Sequence, residues 1–197
     1  WPAPTAAVAV VDAGGVVGAR GPDELVLRWA SVTKLLTAYA TLIAAEEGVL
    51  DLDEPAGPPG STVRHLLAHA SGLPFEGAVP LAKPGERRIY SNTGFDLVGE
   101  RLAERAEMPF AEYLQAAVLD PLGLAGCDLR GRPSEGLWGS LADLAAFRGV
   151  KTIRTVIVHP QGGNLGSVEL IGWDGAPPGR DFAERAKPPN LGSMALR

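Results

Sequence analysis

The sequence contains one cysteine, Cys127, in 197 residues. A single cysteine excludes a disulfide within the chain, so the cysteine usage gives no indication of an oxidising compartment. Histidine is scarce too, with three in the chain, and none lies in a His-Glu-x-x-His arrangement. We therefore expect no metal and no cofactor.

Net positive charge and long apolar runs are absent as well. The formal net charge is -5, which offers no basic surface to nucleic acid or to an anionic membrane. No run of about 18 apolar residues is present, and the first residues lack the features of a signal peptide. We expect a small-molecule or peptide substrate, no nucleic-acid or membrane partner, and leave the oligomeric state open. The expected location is the cytoplasm, although a leader could have been removed because the chain starts at Trp1.

A serine and a lysine three residues apart stand at the start of a predicted helix. Ser31 and Lys34 precede apolar residues at helical spacing, which predicts a helix over residues 32–47. At that spacing the two side chains share one helical face, so the lysine can help to withdraw the serine proton, as in acyl-serine enzymes. The alternative interpretation is a serine that caps the helix beside a solvated lysine.

A second candidate group is Tyr90-Ser91-Asn92, before a predicted helix over residues 93–106. In the functional interpretation Tyr90 exchanges a proton and Asn92 presents its amide to a substrate carbonyl. In the alternative, Ser91 or Asn92 caps the helix and Tyr90 only packs.

Two histidines four residues apart, His65 and His69, share one face of a predicted helix over residues 63–69. This spacing permits a metal site, but a neighbouring glutamate and a third ligand are missing from the pattern. Structural hydrogen bonds are the preferred interpretation.

The rest of the sequence predicts further strands and helices, and the charge composition changes near residue 149. Residues 1–149 hold 12 basic and 19 acidic residues, whereas residues 150–197 hold 6 and 4. We therefore divide the chain into a domain at 1–148 and an atypical tail at 149–197. Further predicted elements are strands at 5–11, 16–19, 25–29, 152–159 and 166–173, a helix that begins at Pro109, and a helix capped by Ser140 with Asp143.

Together with residues 65–73 and the Pro84-Gly85-Glu86 turn, the two motifs resemble the serine β-lactamase-related family, which includes class C β-lactamases, D-alanyl-D-alanine carboxypeptidases and esterases. The resemblance covers about residues 3–148. It implies an α+β fold, with an antiparallel sheet flanked by helices and a helical lobe, shortened at its C-terminal side. It also implies that Ser31 is the acylated nucleophile, Lys34 its activator, Tyr90 the general base or proton relay, and Asn92 a substrate-binding amide. The predicted function is then a serine hydrolase that acts on an amide or ester.

The sequence departs from that family after residue 149. The family has a late Lys/His-Thr-Gly strand, whereas Lys151-Thr152-Ile153 lacks the glycine, so Lys151 is not assigned to the site. One alternative is therefore an inactive homologue that only binds ligand. The tail is similar to a fragment of the glyoxalase and bleomycin-resistance superfamily, which implies a divalent metal at Glu169 in a metal-binding half-module. The resemblance does not itself assign His159 as a second ligand. Alternatively, the two predicted strands of the tail replace the missing edge of the sheet.

Overall fold

The computed structural model describes residues 5–12, 14–147, 153–158 and 168–172. These residues form two antiparallel sheets and a group of helices, which confirms the predicted α+β class. The elements in chain order are β1 (Ala7–Asp12), β2 (Gly15–Arg20), β3 (Leu27–Arg28), a 3-10 turn (Ala30–Val32), α1 (Thr33–Glu46), α2 (Val63–Leu67), α3 (Asn92–Ala106), α4 (Phe110–Leu114), a π-helical turn (Gln115–Leu119), β4 (Asp128–Leu129), β5 (Leu137–Gly139), α5 (Leu141–Ala146), β6 (Ile153–Val158) and β7 (Val168–Gly172).

The larger sheet has the order β2-β1-β6-β7, and every neighbouring pair is antiparallel. Along β1 the small or branched side chains of Ala7, Ala9 and Val11 are buried and their neighbours are exposed, as the period of two in a strand requires. The hairpin predicted at 5–19 and the strands predicted at 152–159 and 166–173 are confirmed to within two residues. The turn between the last two strands lies outside the described residues.

The smaller sheet, in the order β3-β5-β4, corrects the strand predicted at 25–29. Only Leu27 and Arg28 are extended, and they pair with β5 rather than with the first hairpin. Trp29 ends the strand in the core, where its indole packs so closely on Gly139 that a Cβ there would overlap the ring. This packing fixes the chain direction just before Ser31.

The long helix α1 passes through the centre of the core. Leu36, Ala40 and Ala44 lie on its fully buried face, and small alanines allow close packing on the helices α3 and α4. The helix begins one residue later and ends one residue earlier than predicted, because residues 30–32 form a 3-10 turn. None of the helices in the described ranges has both the length and the apolar composition that a bilayer crossing requires.

Three helix starts have side-chain caps, and those of α3 and α5 follow the prediction. Thr62 caps α2 through a capping box with His65, Ser91 caps α3, and Ser140 caps α5 through a box with Asp143. The division of the chain at residue 148 stays a prediction, although pairing of β6 with β1 joins residues on both sides of that boundary into one sheet.

The C-terminal end of α3 generates a prediction about stability. Glu107 ends this helix with φ of 53°, a left-handed conformation that glycine adopts without steric cost. Glu107→Gly should therefore raise the free energy of unfolding by about 0.5–1 kcal/mol in a urea titration.

Glu100 provides the matched control because it is exposed in the middle of the same helix. Glu100→Gly should lower the free energy of unfolding by about 1 kcal/mol. A loss of stability in both variants would contradict the role assigned to the left-handed position.

Candidate active site

Ser31 lies on the 3-10 turn directly before α1, and its side chain is exposed. The residues at the cap positions of the turn and of α1 are Trp29 and Val32, neither of which makes a side-chain cap bond. The interpretation of Ser31 as a helix cap is therefore wrong. Ser31 is thus an exposed residue just before the N-terminal end of the central helix.

The turn that carries Ser31 is held in a strained conformation. Ala30 has φ of 44°, which costs a residue other than glycine about 1 kcal/mol. The Thr33 hydroxyl donates to the Ala30 carbonyl at 2.6 Å and accepts the Leu137 N–H at 3.1 Å. These bonds fix the turn against β5, so the position of Ser31 is determined by its neighbours.

Lys34 is the buried charge of the site, with 5% of its surface exposed. Its ammonium donates to Asn92 Oδ1 at 2.6 Å, to the Ser134 carbonyl at 2.9 Å and to Ser31 Oγ at 3.4 Å. The last distance is longer than an ordinary N–H···O bond. All three ammonium protons thus have acceptors, and one of these is the candidate nucleophile.

Asn92 is enclosed by protein, with 1% of its surface exposed. Its carbonyl oxygen accepts from Lys34, and its amide nitrogen donates to Glu76 Oε1 at 2.9 Å. One amide proton is left for another acceptor. The predicted contact of Asn92 with a substrate carbonyl depends on that proton.

Tyr90 is exposed, as Ser31 is, with 39% of its surface accessible. The Lys34 nitrogen lies 4.8 Å from the centroid of its ring, and the ring of Phe75 stacks on it at 6.0 Å. The four residues predicted from the sequence, Ser31, Lys34, Tyr90 and Asn92, are thus brought together around one ammonium. Their chemical roles stay predictions.

His69 supports the segment that carries Tyr90 and Asn92. Its Nδ1 accepts the Ser91 N–H at 3.1 Å, its carbonyl accepts the Ile89 N–H at 2.8 Å, and its ring packs on Tyr90 at 4.5 Å. An accepting Nδ1 places the proton of the neutral ring on Nε2. Burial, and then the charges of Arg88 and Lys34, lower the pKa of His69 to about 4.

The two histidines that share a spacing of four therefore have local structural contacts. His65 Nδ1 accepts the Thr62 N–H at 3.2 Å in the cap of α2. Among the side chains that the structure describes, no group of three or more could hold a metal ion. Glu169 lies on β7, where only the backbone is described, and His159 and Lys151 lie outside the described residues.

Strand β7 lies beside the 3-10 turn that carries Ser31. It is also one of the two outer strands of the described part of the larger sheet, opposite β2. This is the side on which the resemblance leads us to expect the late Lys/His-Thr-Gly strand. Backbone from the tail is therefore next to the candidate nucleophile.

Sequence reasoning missed Glu76 and Ser134. Glu76 lies in a loop without any recognisable motif, and Ser134 contributes a main-chain carbonyl, which any residue type can supply. The sequence offered one indication of these contacts: Asp96 follows Asn92 by one turn of α3, so the two side chains lie on one helical face. In the structure Asp96 accepts the Ser134 N–H at 3.1 Å.

Comparisons with known proteins point to one family. A model of the Beta-lactamase family matches residues 2–165. The chain is 29% identical over 138 residues to the D-alanyl-D-alanine-carboxypeptidase/endopeptidase AmpH of Escherichia coli, covering 51% of this chain and 36% of that protein. It is 27% identical over 128 residues to penicillin-binding protein 4* of Bacillus subtilis, covering 48% and 28%.

A solved structure gives the same result for the fold. The chain is similar to a beta-lactamase from Mycobacterium bovis, with a TM-score of 0.73 and 49% identity, over 76% of this chain and 56% of that one. The chain therefore spans about a third of the length of these curated relatives and about half of the length of this structural relative.

The lowered pKa of His69 predicts a pH dependence of stability. The unfolded chain binds a proton as the pH falls through 6.5, whereas folded His69 stays neutral down to about 4. The free energy of unfolding should therefore fall by roughly 2 kcal/mol from this group between pH 7 and about pH 4.5.

His69→Asn, which keeps an acceptor for the Ser91 N–H, should remove this part of the pH dependence in urea titrations. Glu54 and Glu76 have pKa values of about 2, so their contributions are lost mainly below this window. A variant with the full wild-type slope would refute the assignment to His69.

Proposed function

The chain belongs to the Beta-lactamase family, and on that premise we propose that it is a serine hydrolase that cleaves an amide or ester through an acyl-enzyme on Ser31. The observation that carries the proposal is the contact of the hydroxyl of Ser31, an exposed residue, with the ammonium of buried Lys34, at 3.4 Å. A serine hydroxyl is a weak nucleophile until a neighbouring group takes its proton.

The proposed reaction uses groups of this chain and water. Ser31 Oγ attacks the carbonyl carbon of the substrate, and its proton passes to Lys34 in the amine form, or to Tyr90 as a relay. The new bond is Oγ–C, and the bond to the leaving nitrogen or oxygen breaks as that atom receives the proton. Water then hydrolyses the ester on Ser31 and returns the enzyme.

The negative charge on the carbonyl oxygen needs hydrogen-bond donors during the attack. The Ser31 N–H would be one donor, since it lies at the start of the 3-10 turn and α1, where amide groups and the helix dipole favour an anion. A main-chain N–H of β7, the strand beside this turn, would be the second.

The substrate is a small molecule or a peptide, and the names of the relatives suggest its class. AmpH is a D-alanyl-D-alanine carboxypeptidase and endopeptidase, and the M. bovis protein is a beta-lactamase. A peptide that ends in D-alanine, a β-lactam and a simple ester all present the same acyl carbon to Ser31. Discrimination among them depends on pocket walls, which vary within a fold.

The competing proposal is a homologue that binds ligand without turnover. It is favoured by the absence of a Lys/His-Thr-Gly sequence after residue 149. In that case the Ser31 hydroxyl would not be acylated, because the charge on the substrate oxygen would lack its second donor. The two proposals differ in whether a covalent adduct forms.

A fluorophosphonate probe tests the first proposal. We expect one adduct, at Ser31, in the folded protein and none in protein unfolded with urea. Ser31→Ala should abolish the adduct, and Lys34→Ala should slow its formation by about 100-fold or more, as expected for loss of a base. Mass spectrometry of the digested protein locates the label.

The exposed Lys83 is the control, and Lys83→Ala should label at the wild-type rate. The absence of any adduct on folded wild-type protein would favour the binding-only proposal. Parallel incubation with a fluorescent penicillin would show whether β-lactams are among the acyl donors.

A further inference from the structure

A closed circuit of hydrogen bonds and one ion pair, between Arg132 and Asp96, surrounds the Lys34 ammonium. Lys34 donates to Asn92, whose amide donates to Glu76, and both carboxylate oxygens of Glu76 accept from Arg132 at 2.8 and 3.0 Å. Arg132 also contacts Asp96 Oδ2 at 3.2 Å. Asp96 accepts the N–H of Ser134, and the Ser134 carbonyl accepts from Lys34.

Glu76 determines which way the Asn92 amide faces. An ionised carboxylate can only accept, so it selects the amide nitrogen, and the amide oxygen is then directed at the ammonium. The reverse orientation would place two oxygens together at Glu76 and an N–H against a cation. Hydrogen bonds from Arg132 and Asn92 hold the pKa of Glu76 at about 2, so this selection persists at neutral pH.

The second half of the circuit fixes the Ser134 carbonyl. Asp96 accepts the Ser134 N–H, and the Thr37 hydroxyl donates to the Pro133 carbonyl at 2.6 Å. On α3, Gly99 lies so close to the Pro133 ring that a Cβ would overlap it. The loop that carries Arg132 and Ser134 is therefore attached to both α1 and α3.

Within the described residues Lys34 has no carboxylate as a direct partner, and both carboxylates lie one hydrogen bond away, behind Asn92 and Ser134. Arg132 binds both of them: Glu76 Oε1 accepts from Arg132 and from Asn92, whereas Asp96 contacts Arg132 through Oδ2 and accepts the Ser134 N–H through Oδ1. The ammonium is thus held by dipoles rather than by a salt bridge. Such an arrangement fixes the nitrogen beside Ser31 without a full opposing charge against it.

We propose that Glu76 and Arg132 are positioning residues, which hold the acceptors of Lys34 so that its nitrogen stays beside the Ser31 hydroxyl. The expected loss of kcat rests on the proposed function, whereas the expected displacement of Lys34 does not. Glu76 and Arg132 are both about half exposed, and exposed ion pairs contribute little to stability. Their removal should affect the placement of Lys34 more than the stability of the fold.

The kinetic test compares Glu76→Ala, Arg132→Gln and the double variant, with p-nitrophenyl acetate as substrate. Each single variant should lower kcat by about 10-fold or more and change KM less than twofold, because misplacement affects the reacting groups rather than substrate binding. The double variant should be about as slow as the slower single variant, since both changes open one circuit.

Two further variants make the kinetic result specific. Arg130→Gln is the matched control, because Arg130 forms an exposed ion pair with Asp128 in the same part of the chain, and it should keep the wild-type kcat. Glu76→Gln keeps an acceptor for Asn92 and should recover part of the activity that Glu76→Ala loses. Thermal unfolding should give similar midpoints for all of them.

A second readout does not depend on activity. Reductive methylation, followed by mass spectrometry, compares buried Lys34 with exposed Lys83 in the same molecule. In the wild type, Lys34 should react at least about 10-fold more slowly than Lys83, and in Glu76→Ala and Arg132→Gln this protection should fall severalfold. Arg130→Gln should keep the protection.

The outcomes separate this inference from the proposed function. Lost protection and lowered kcat support both, and lost protection in a protein without esterase activity supports the positioning role alone. Unchanged protection of Lys34 in Glu76→Ala and Arg132→Gln would overturn the inference whatever the activity. Equal losses of kcat in Arg130→Gln, or additive losses in the double variant, would also overturn it.

Discussion

The need to satisfy one buried ammonium organises the site. A lysine with 5% exposure cannot leave its three protons unpaired without a large desolvation cost. Its acceptors come from three distant parts of the chain, at Ser31, Asn92 and Ser134. The 3-10 turn, the start of α3 and the loop before β5 must therefore meet at Lys34. The candidate nucleophile is one of these acceptors, so the packing that satisfies the charge is also the packing that places the hydroxyl beside it.

The polar residues of α1 make this meeting possible. Thr33 and Thr37 are fully buried on the central helix, next to Lys34, and each donates its hydroxyl proton to a main-chain carbonyl outside the helix, at Ala30 and at Pro133. A helix with only apolar residues at these positions would deprive the Pro133 carbonyl of the Thr37 hydroxyl as its partner, and would leave the Ala30 carbonyl with the Thr33 N–H alone. The same helix thus supplies a small-residue face for α3 and α4 and a polar face for the site. This division explains why a helix in the centre of the core carries several threonines.

Sequence reasoning succeeded where the information is local. The spacing of Ser31 and Lys34 and the cap at Ser91 depend on a few consecutive residues, and the structure has them as predicted, apart from the 3-10 turn. It failed where contacts join loops: the pairing of β3 with β5, and the contacts of Glu76 and Arg132, depend on how distant segments pack. Ser134 acts through a carbonyl that every residue possesses, so no sequence pattern could single it out. The proximity of Tyr90 and Asn92 to Lys34 was predicted from the resemblance of their motif to a family, not from the helical or strand periodicity of the sequence.

The two sides of the site make different demands on the sequence. The side that holds Lys34 uses specific side chains, and all of them lie between residues 31 and 134. The side that would face a substrate oxygen needs an N–H donor, and a strand offers one at alternate residues along a free edge whatever its side chains are. β7 is one of the two outer strands of the larger sheet as described, and it lies beside the turn of Ser31. A wall formed by β7 without a Lys/His-Thr-Gly sequence would therefore lack particular side chains but would not by itself lack a main-chain donor, and activity would depend on the register of β7 against Ser31.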